Sequence, residues 1–269
     1  MKDKRILYVS SEVVPYLPET EIASTAFNVA KKAHSKGVQT RIFMPRFGVI
    51  NERRHQLHEV IRLSGMNLII NDMDMPLIIK VASIPKERMQ VYFIDNDEYF
   101  KRKAIFSDED DELFSDNDER AIFFAKGVVE TVKKLNWAPD IIHVHGWMAS
   151  LLPLYLKEYY SEEPLFSESK IITSVYNQDF DGTLNKDLVE KIKFDKISDD
   201  KISILKEPNY TNILKSAVSN SDAIVQGSKE IPKELQEEIN KKDVPTLSFQ
   251  EEDSFESYLN FYKDLISQE

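Results

Sequence analysis

Two histidines at the end of an apolar run are the side chains of this chain best placed for chemistry. The segment 141–145, IIHVH, is typical of a buried strand, and Gly146 and Trp147 follow it where a helix should begin. Side chains two residues apart on a strand point to the same face, so the two imidazoles should lie together. Ligands bind outside the carboxyl ends of parallel strands, which makes His143 and His145 candidates for catalysis.

A metal site is the alternative chemistry for this histidine pair. Strand-borne His-x-His pairs can bind zinc, but they need further ligands from other strands. Only His34, His55 and His58 remain, and the eight regular βα units of a zinc-binding barrel are missing. We therefore expect no metal, and either a hydrogen-bonding or a structural role for the pair.

Two further side chains lie where a strand is expected to end. Glu12 follows the first strand and could act as an acid, a base or an acceptor for sugar hydroxyls; it could equally bind loop amides. Trp147 offers a large apolar face that could stack on a sugar ring, or it could anchor the following helix. The sequence leaves both alternatives open for each residue.

Composition narrows the class of partner. The 269 residues carry a net charge of −11, which disfavours nucleic acids and anionic membranes and leaves neutral partners such as sugar polymers. The same charge also fits a merely solvated acidic surface.

The absence of cysteine excludes disulfides and thiolate chemistry, and no signal peptide or membrane span is evident. We expect a soluble, cytoplasmic protein.

Strand-like and helical patterns alternate along most of the chain, which predicts an α/β, Rossmann-like fold with a mostly parallel sheet and helices on both faces. The predicted strands are Ile6–Ser10, Gln39–Pro45, Ile141–His145, Lys170–Tyr176 and Ala223–Gly227. Three consecutive extended runs, Leu57–Leu63, Leu77–Ile84 and Met89–Ile94, predict an inserted antiparallel meander.

Helical spacing predicts several helices around this sheet. One amphipathic helix begins near residue 116, with Asp116 and Glu119 as its capping acids. The other main predicted helices are Met148–Tyr159, Tyr210–Ser219, Pro232–Lys242 and Phe255–Ile266.

Together these segments resemble the N-terminal catalytic half of the starch/glycogen synthase family. The segment Pro139–Trp147 is similar to that family's Pro-Asp-(two apolar)-His-x-His-Asp-Trp motif and is the most specific match. Further matching segments are Ile6–Tyr16, Gly37–Gly48, Val91–Asn96 and Asp116–Phe124. The resemblance covers about residues 1–230 and implies one half of a GT-B fold, with 231–269 as a C-terminal helical extension packing back on it.

The resemblance also implies an activity. Family members transfer glucose, usually from ADP-glucose, to the non-reducing end of an α-1,4-glucan, without a metal. Carried over to this chain, the acceptor side would be lined by Glu12, Tyr16, His143, His145, Trp147 and Asn177. Glu12 and the histidines would be catalytic, the other three would bind substrate, and the α-glucan acceptor would be the partner.

The chain departs from the family where a donor phosphate would bind. The family's Lys-Thr-Gly-Gly-Leu reads Pro-Glu-Thr-Glu-Ile at residues 18–22, so a lysine and two glycines are replaced and two carboxylates appear. Glycine amides and a helix N-terminus attract phosphate, and carboxylates repel it. The family's Asp and last His of the histidine motif are Gly146 and Met148, and a later His is Tyr176. We therefore expect a degraded donor site, with neither nucleotide sugar nor cofactor bound.

Three functions follow. The chain could be a short synthase-like transferase, working alone or with a separate donor-binding partner, since the roughly 40 residues after position 230 are too few for a second Rossmann domain. It could be a non-catalytic, glucan-binding or regulatory protein of glycogen metabolism. It could instead be an interaction protein, such as a homo-oligomer, because an uncovered half of a GT-B cleft favours association.

Overall fold

The computed structural model describes residues 1–251 and 255–267. Its strands are β1 Arg5–Ser10, β2 Gln39–Pro45, β3 His58–Glu59, β4 Met66–Ile70, β5 Met73–Ser83, β6 Gln90–Asp95, β7 Ile141–His145, β8 Lys170–Val175, β9 Ala223–Gln226 and β10 Thr246–Leu247. Its α-helices are α1 Glu21–Ser35, α2 Glu52–His55, α3 Asp97–Phe100, α4 Asn117–Lys134, α5 Leu152–Lys157, α6 Leu188–Phe194, α7 Asp199–Ile202, α8 Tyr210–Ser219, α9 Lys233–Lys241 and α10 Phe255–Ile266. Short 3₁₀ turns lie at Trp147–Ala149, Pro164–Phe166 and Ser203–Lys206.

One mixed sheet organises these elements, in the order β10-β9-β8-β7-β1-β2-β6-β5-β3, with β4 paired to β5. The pairs from β10 to β6 are all parallel, and those involving β5 are antiparallel. The chain moves from β1 to β2 in one direction and from β7 to β9 in the other. Because parallel crossovers are right-handed, this reversal places helices on opposite faces. The predicted α/β fold is confirmed.

The central strands are buried because helices cover both of their faces. Every residue of β7 is buried, and only the first residue of β1 and of β8 is partly exposed. Continuous apolar runs of this kind are typical of parallel strands, in contrast to the alternation of half-exposed strands. Helix α1 packs with α10, whereas α4 packs with α5 and α5 with α8.

The predicted meander is only partly correct. Strands β5 and β6 pair antiparallel as expected, but the run 57–63 forms only the two-residue strand β3. The prediction missed β4, which forms a hairpin with β5. Asn71 and Asp72 connect them with φ of 47° and 63°, the left-handed conformations that a two-residue hairpin turn requires.

The predicted capping of α4 is only partly correct: Asp116 and Glu119 lie at the N-cap and in the first turn, as expected, but Asp116 makes no capping hydrogen bond through its side chain. Its carboxylate instead accepts a hydrogen bond from Arg102 at 2.5 Å. Glu119 accepts from the Tyr99 hydroxyl at 3.0 Å and pairs with Lys191 at 2.8 Å. The two carboxylates therefore stay at the start of α4 but bind side chains from elsewhere in the chain instead of its free amides.

Two further segments differ from the prediction. The helix expected over 148–159 begins as a 3₁₀ turn, and α5 covers only Leu152–Lys157. The C-terminal segment expected to be helical also contains β10, which extends the sheet beside β9. The bounds of α8 and α10 match the predicted ones. None of the described helices has the length and apolar character needed to cross a membrane.

Candidate functional site

The carboxyl ends of β1, β7 and β8 form one crest, the edge of the sheet from which their loops emerge. Ser10 of β1 is level with His145 of β7, which is level with Ser174 of β8. The three loops that follow carry the candidates Glu12, Trp147 and Asn177. The crest therefore brings together residues that are distant in the sequence, as the parallel pattern predicts.

The histidine pair lies on one face of β7, as predicted from its spacing. The ring centroids of His143 and His145 are 4.0 Å apart, and both residues are fully buried. His143 contacts the Tyr262 hydroxyl through Nδ1 at 2.6 Å and the Ser174 hydroxyl through Nε2 at 2.8 Å. His145 contacts the Tyr176 hydroxyl through Nδ1 at 2.7 Å, and its Nε2 has no partner among the described residues.

Burial sets the charge of both imidazoles. It lowers the pKa of His143 well below its usual value, with the neighbouring His145 adding to the effect, and it lowers the pKa of His145 to about 3. Both rings are therefore neutral near pH 7; His143 links β7 to α10 and to Ser174 of β8, and His145 links β7 to Tyr176. Direct contact with a substrate would require α10 to move, so the catalytic role stays a prediction.

Glu12 is an interior carboxylate that joins the loop after β1, where it lies, to the loop after β8. It is only 4% exposed, and it accepts hydrogen bonds from Thr20 Oγ1 at 2.7 Å and from Gln178 Nε2 at 3.0 Å. Burial raises its pKa, and those two hydrogen bonds oppose the rise. A carboxyl with a raised pKa suits acid–base chemistry, but here each oxygen already has a partner.

Side chains of this chain occupy the space around the N-terminus of α1, where a ligand phosphate would otherwise bind. Thr20 caps it by accepting the Ala23 amide at 3.0 Å. The Glu21 carboxylate accepts a hydrogen bond from the Ser228 hydroxyl, which in turn accepts the Asn177 amide at 2.8 Å. Glu19 is exposed and accepts from Ser24 at 3.1 Å. Three carboxylates, those of Glu12, Glu19 and Glu21, thus surround the start of this helix.

The remaining candidates have separate environments. Trp147 is 4% exposed and packs against Phe106 and Phe180, with ring centroids 4.7 Å and 5.0 Å away. A sugar could reach its ring only if one of those neighbours moved. Tyr16 lies apart from the histidine pair, against Phe93 of β6. Asn177 is exposed, so its amide is open to a ligand.

Sequence reasoning missed the residues that hold this crest together. Tyr262 lies 119 residues after its partner His143, and Gln178 lies 166 residues after Glu12. The one available signal was the aromatic spacing of Tyr258 and Tyr262, which places two tyrosines on one face of α10. Within the described ranges, no three histidine, aspartate or glutamate side chains are grouped as a metal site.

Comparisons with known proteins all match starch or glycogen synthases. The family model described as "Starch synthase catalytic domain" matches residues 5–246. The glycogen synthase of Chlorobium luteolum is 34% identical over 233 residues, which are 85% of this chain and 46% of that protein. The glycogen synthase of Chlorobium limicola is 34% identical over 226 residues, 84% of this chain and 46% of that protein.

A solved structure shows the same fold. It is the catalytic domain of starch synthase IV from Arabidopsis thaliana, bound to ADP and acarbose, with a TM-score of 0.75 and 16% identity. The match covers 92% of this chain and 51% of that one. This chain therefore spans about half the length of the relatives it matches.

Proposed function

The chain belongs to the starch synthase catalytic-domain family, and we propose that it binds α-1,4-glucan while its own crest holds no nucleotide diphosphate. It is a glycosyltransferase domain of the glycogen and starch synthase kind. The first half of the proposal places it in glucan synthesis, on the acceptor side. The second half says that its donor site is degraded.

The carboxylates at the start of α1 are the observation that supports the missing donor site. A diphosphate binds a helix N-terminus through free amides and positive potential. Here Thr20 takes the Ala23 amide, and Glu21 lies in the first turn, where its charge offsets the helix dipole. Glu12 and Glu19 add two more acids beside it. Each such charge repels a phosphate by about 1 kcal/mol at 4 Å in water, and by more near a protein surface.

A neutral glucan experiences no such repulsion. Carboxylates and amides are good partners for sugar hydroxyls, because charged acceptors form stronger hydrogen bonds than neutral ones. Asn177 is the candidate most open to solvent on this crest, and Gln178 beside it is half-buried. The Arabidopsis thaliana relative was solved with acarbose as well as ADP, so a saccharide and a nucleotide are the two ligands to compare.

The donor half of the proposal is tested by calorimetry with ADP and ADP-glucose. We expect no binding at the crest in the micromolar range. Replacing both Glu19 and Glu21 by glutamine should make any residual nucleotide binding tighter. A control with Glu98→Gln and Glu237→Gln changes the net charge equally at exposed sites elsewhere. Micromolar ADP binding to the unaltered crest would contradict the proposal.

The glucan half is tested by thermal unfolding with maltoheptaose. At a concentration of ten times Kd, binding should add about 1.4 kcal/mol of stability, which corresponds to a Tm increase of roughly 3 °C for a domain of this size. Asn177→Ala should reduce the shift, whereas Asn67→Ala on exposed β4 should retain it. A Tm that does not change when maltoheptaose is added would instead support the interaction-protein alternative.

Glucosyl transfer is the second candidate, favoured by the relatives that are named glycogen synthase. In that case the diphosphate would be stabilised by groups outside this crest, on a donor-binding partner. Incorporation of radiolabelled glucose from ADP-glucose into glycogen, with and without cell lysate, tests this candidate. Incorporation that appears only with lysate would indicate such a partner, whereas incorporation by the purified chain would overturn the degraded donor site.

A further inference from the structure

A cavity of about 660 Å³ opens between α1, α2, β2 and the turn that joins β5 to β6. Its lining includes three side chains with permanent positive charge, those of Arg54, Lys86 and Arg88. His34 and His55 add two imidazoles. The charged residues come from α2 and from the β5–β6 turn, which are brought together only by the fold.

The charge of this cavity is opposite to that of the whole chain. No carboxylate lines it, although the protein carries a net charge of −11. The nearest acids in sequence have partners elsewhere: Glu87 pairs with Lys31 at 2.7 Å, and Glu52 pairs with Lys80 at 2.7 Å. Arg54, Lys86 and Arg88 form no ion pair with any residue that the structure describes. Their positive potential is therefore not cancelled locally.

A buried hydroxyl without a partner also lines this cavity. Tyr16 is 5% exposed, and its hydroxyl makes no hydrogen bond to the described residues. Burial raises the pKa of Tyr16, so the group stays protonated and can donate. Its oxygen has almost no surface open to the cavity, so a ligand could accept a hydrogen bond from it only if the Tyr16 side chain moved.

The turn that carries two of the cations has an unfavourable backbone. Lys86 and Arg88 have φ of 69° and 57°, a left-handed conformation that side chains with a Cβ seldom adopt. Such conformations are common at ligand sites, where the surrounding structure enforces them. Here the conformation places both side chains on the lining of one cavity.

We propose that this cavity binds a small phosphate monoester, with Arg54, Lys86 and Arg88 around the phosphate. Arginine and lysine are the usual partners of phosphate oxygens. The volume falls within the roughly 300–1,000 Å³ of small-molecule sites, so it holds more than a phosphate ion. The Thr40 hydroxyl and the Gln90 amide, also in the lining, offer partners for the hydroxyls of a phosphorylated sugar.

Calorimetry at constant ionic strength tests this site with glucose 1-phosphate, inorganic phosphate and glucose. We expect glucose 1-phosphate to bind more tightly than inorganic phosphate, and glucose to show no binding at this cavity. Exchanging Arg54, Lys86 and Arg88 together for glutamine should weaken the binding of glucose 1-phosphate by about tenfold or more.

The matched control exchanges three exposed lysines, Lys206, Lys233 and Lys241, for glutamine. It changes the net charge by the same amount without touching the cavity, and it should bind glucose 1-phosphate as the unaltered protein does. Equal weakening in both triple variants would show only general charge attraction and would overturn the site. Failure of the unaltered protein to bind glucose 1-phosphate would overturn it as well.

The same triple variant separates this site from the degraded donor site proposed above. If the unaltered protein binds ADP and the cavity variant does not, the ADP occupies the cavity, and the donor-site proposal stands. If the cavity variant still binds ADP, the nucleotide lies at the crest, and the donor-site proposal fails independently of the cavity.

Discussion

His143 and His145 are neutral links in the folded protein, which has a consequence for its stability in acid. The unfolded chain takes up a proton on each imidazole below about pH 6.5. The folded protein does not do so until far lower pH, near 3 for His145. Protonation therefore favours the unfolded state, and the stability that depends on these residues is lost as the pH falls below about 6.5.

The first prediction is an acid-dependent loss of stability assigned to this pair. Between pH 7 and pH 5, each buried neutral histidine should lower the free energy of unfolding by about 2 kcal/mol. Urea unfolding at both pH values, for the unaltered protein and for the His143→Gln and His145→Gln variants, measures this change. Each variant should lose less stability over this interval, whatever its stability at pH 7. An unchanged pH dependence in both variants would contradict the assignment.

The sequence predicted the placement of these residues better than their surroundings. Spacing of two on an apolar strand was enough to place both imidazoles on one face, and their centroids are 4.0 Å apart. Their burial agrees with the buried strand that the sequence predicts, but their hydroxyl partners were not predictable, because Tyr262 and Tyr176 lie elsewhere in the chain, 119 and 31 residues away. Trp147 is similar: its position in the chain was clear, but the two phenylalanines that enclose it lie on distant loops.

Among the elements, α4 and α6 are joined by buried ion pairs. Lys126 of α4 pairs with Asp195, at the end of α6, at 2.5 Å, and their side chains are 4% and 7% exposed. The Tyr155 hydroxyl of α5 donates to the same carboxylate at 2.7 Å. A second pair, Lys191 with Asp118 at 2.6 Å, joins the middle of α6 to the first turn of α4. These contacts connect helices on one face of the sheet.

The second prediction tests that connection with Asp195→Asn. The change keeps the shape of the side chain but leaves the Lys126 ammonium buried without its counter-charge. Losing one partner of a buried pair costs about 3–5 kcal/mol, so urea unfolding should show a large loss. Asp199→Asn makes the same chemical change at a carboxylate 70% exposed and paired with Lys193. That control should cost less than about 1 kcal/mol; similar losses in both variants would contradict the structural importance of the buried pair.

Regular elements were predictable where local pattern and tertiary environment agree. Strands β2 and β7 and helices α8 and α10 have the bounds that periodicity indicates. Strand β4 was missed because its signal lies in the left-handed turn at Asn71 and Asp72 rather than in its own side chains. The predicted capping of α4 was only partly correct for a different reason, since Arg102 and Lys191 from elsewhere in the chain bind the acids.

At the scale of the whole molecule, the alternation of strand and helix predicted the layers but not the order of the strands. The path β7-β1-β2-β6 places two distant segments, 5–10 and 141–145, beside each other. That neighbourhood creates the crest, and no local pattern encodes it. The two-residue strand β10 is a further example, because it is defined only by its pairing with β9.

The C-terminal helix α10 packs on the rest of the molecule through Tyr258, Leu259, Tyr262 and Leu265. Tyr262 is fully buried and contacts the Nδ1 atom of His143 at 2.6 Å, and Tyr258, one turn earlier, is 2% exposed. The helix also packs against α1. Because His143 lies in the central sheet, this hydrogen bond connects the end of the described chain to its core.

The last prediction is that Tyr262→Phe loosens α10. The change removes one oxygen and leaves a buried nitrogen of His143 without a partner, which should cost about 1–3 kcal/mol. Hydrogen exchange of the amides in 255–267 should become faster, because opening of α10 becomes less costly. Tyr258→Phe is the matched control, since its hydroxyl forms no hydrogen bond with the described residues. Equal exchange in the two variants would show that packing alone, without the His143 contact, holds the helix in place.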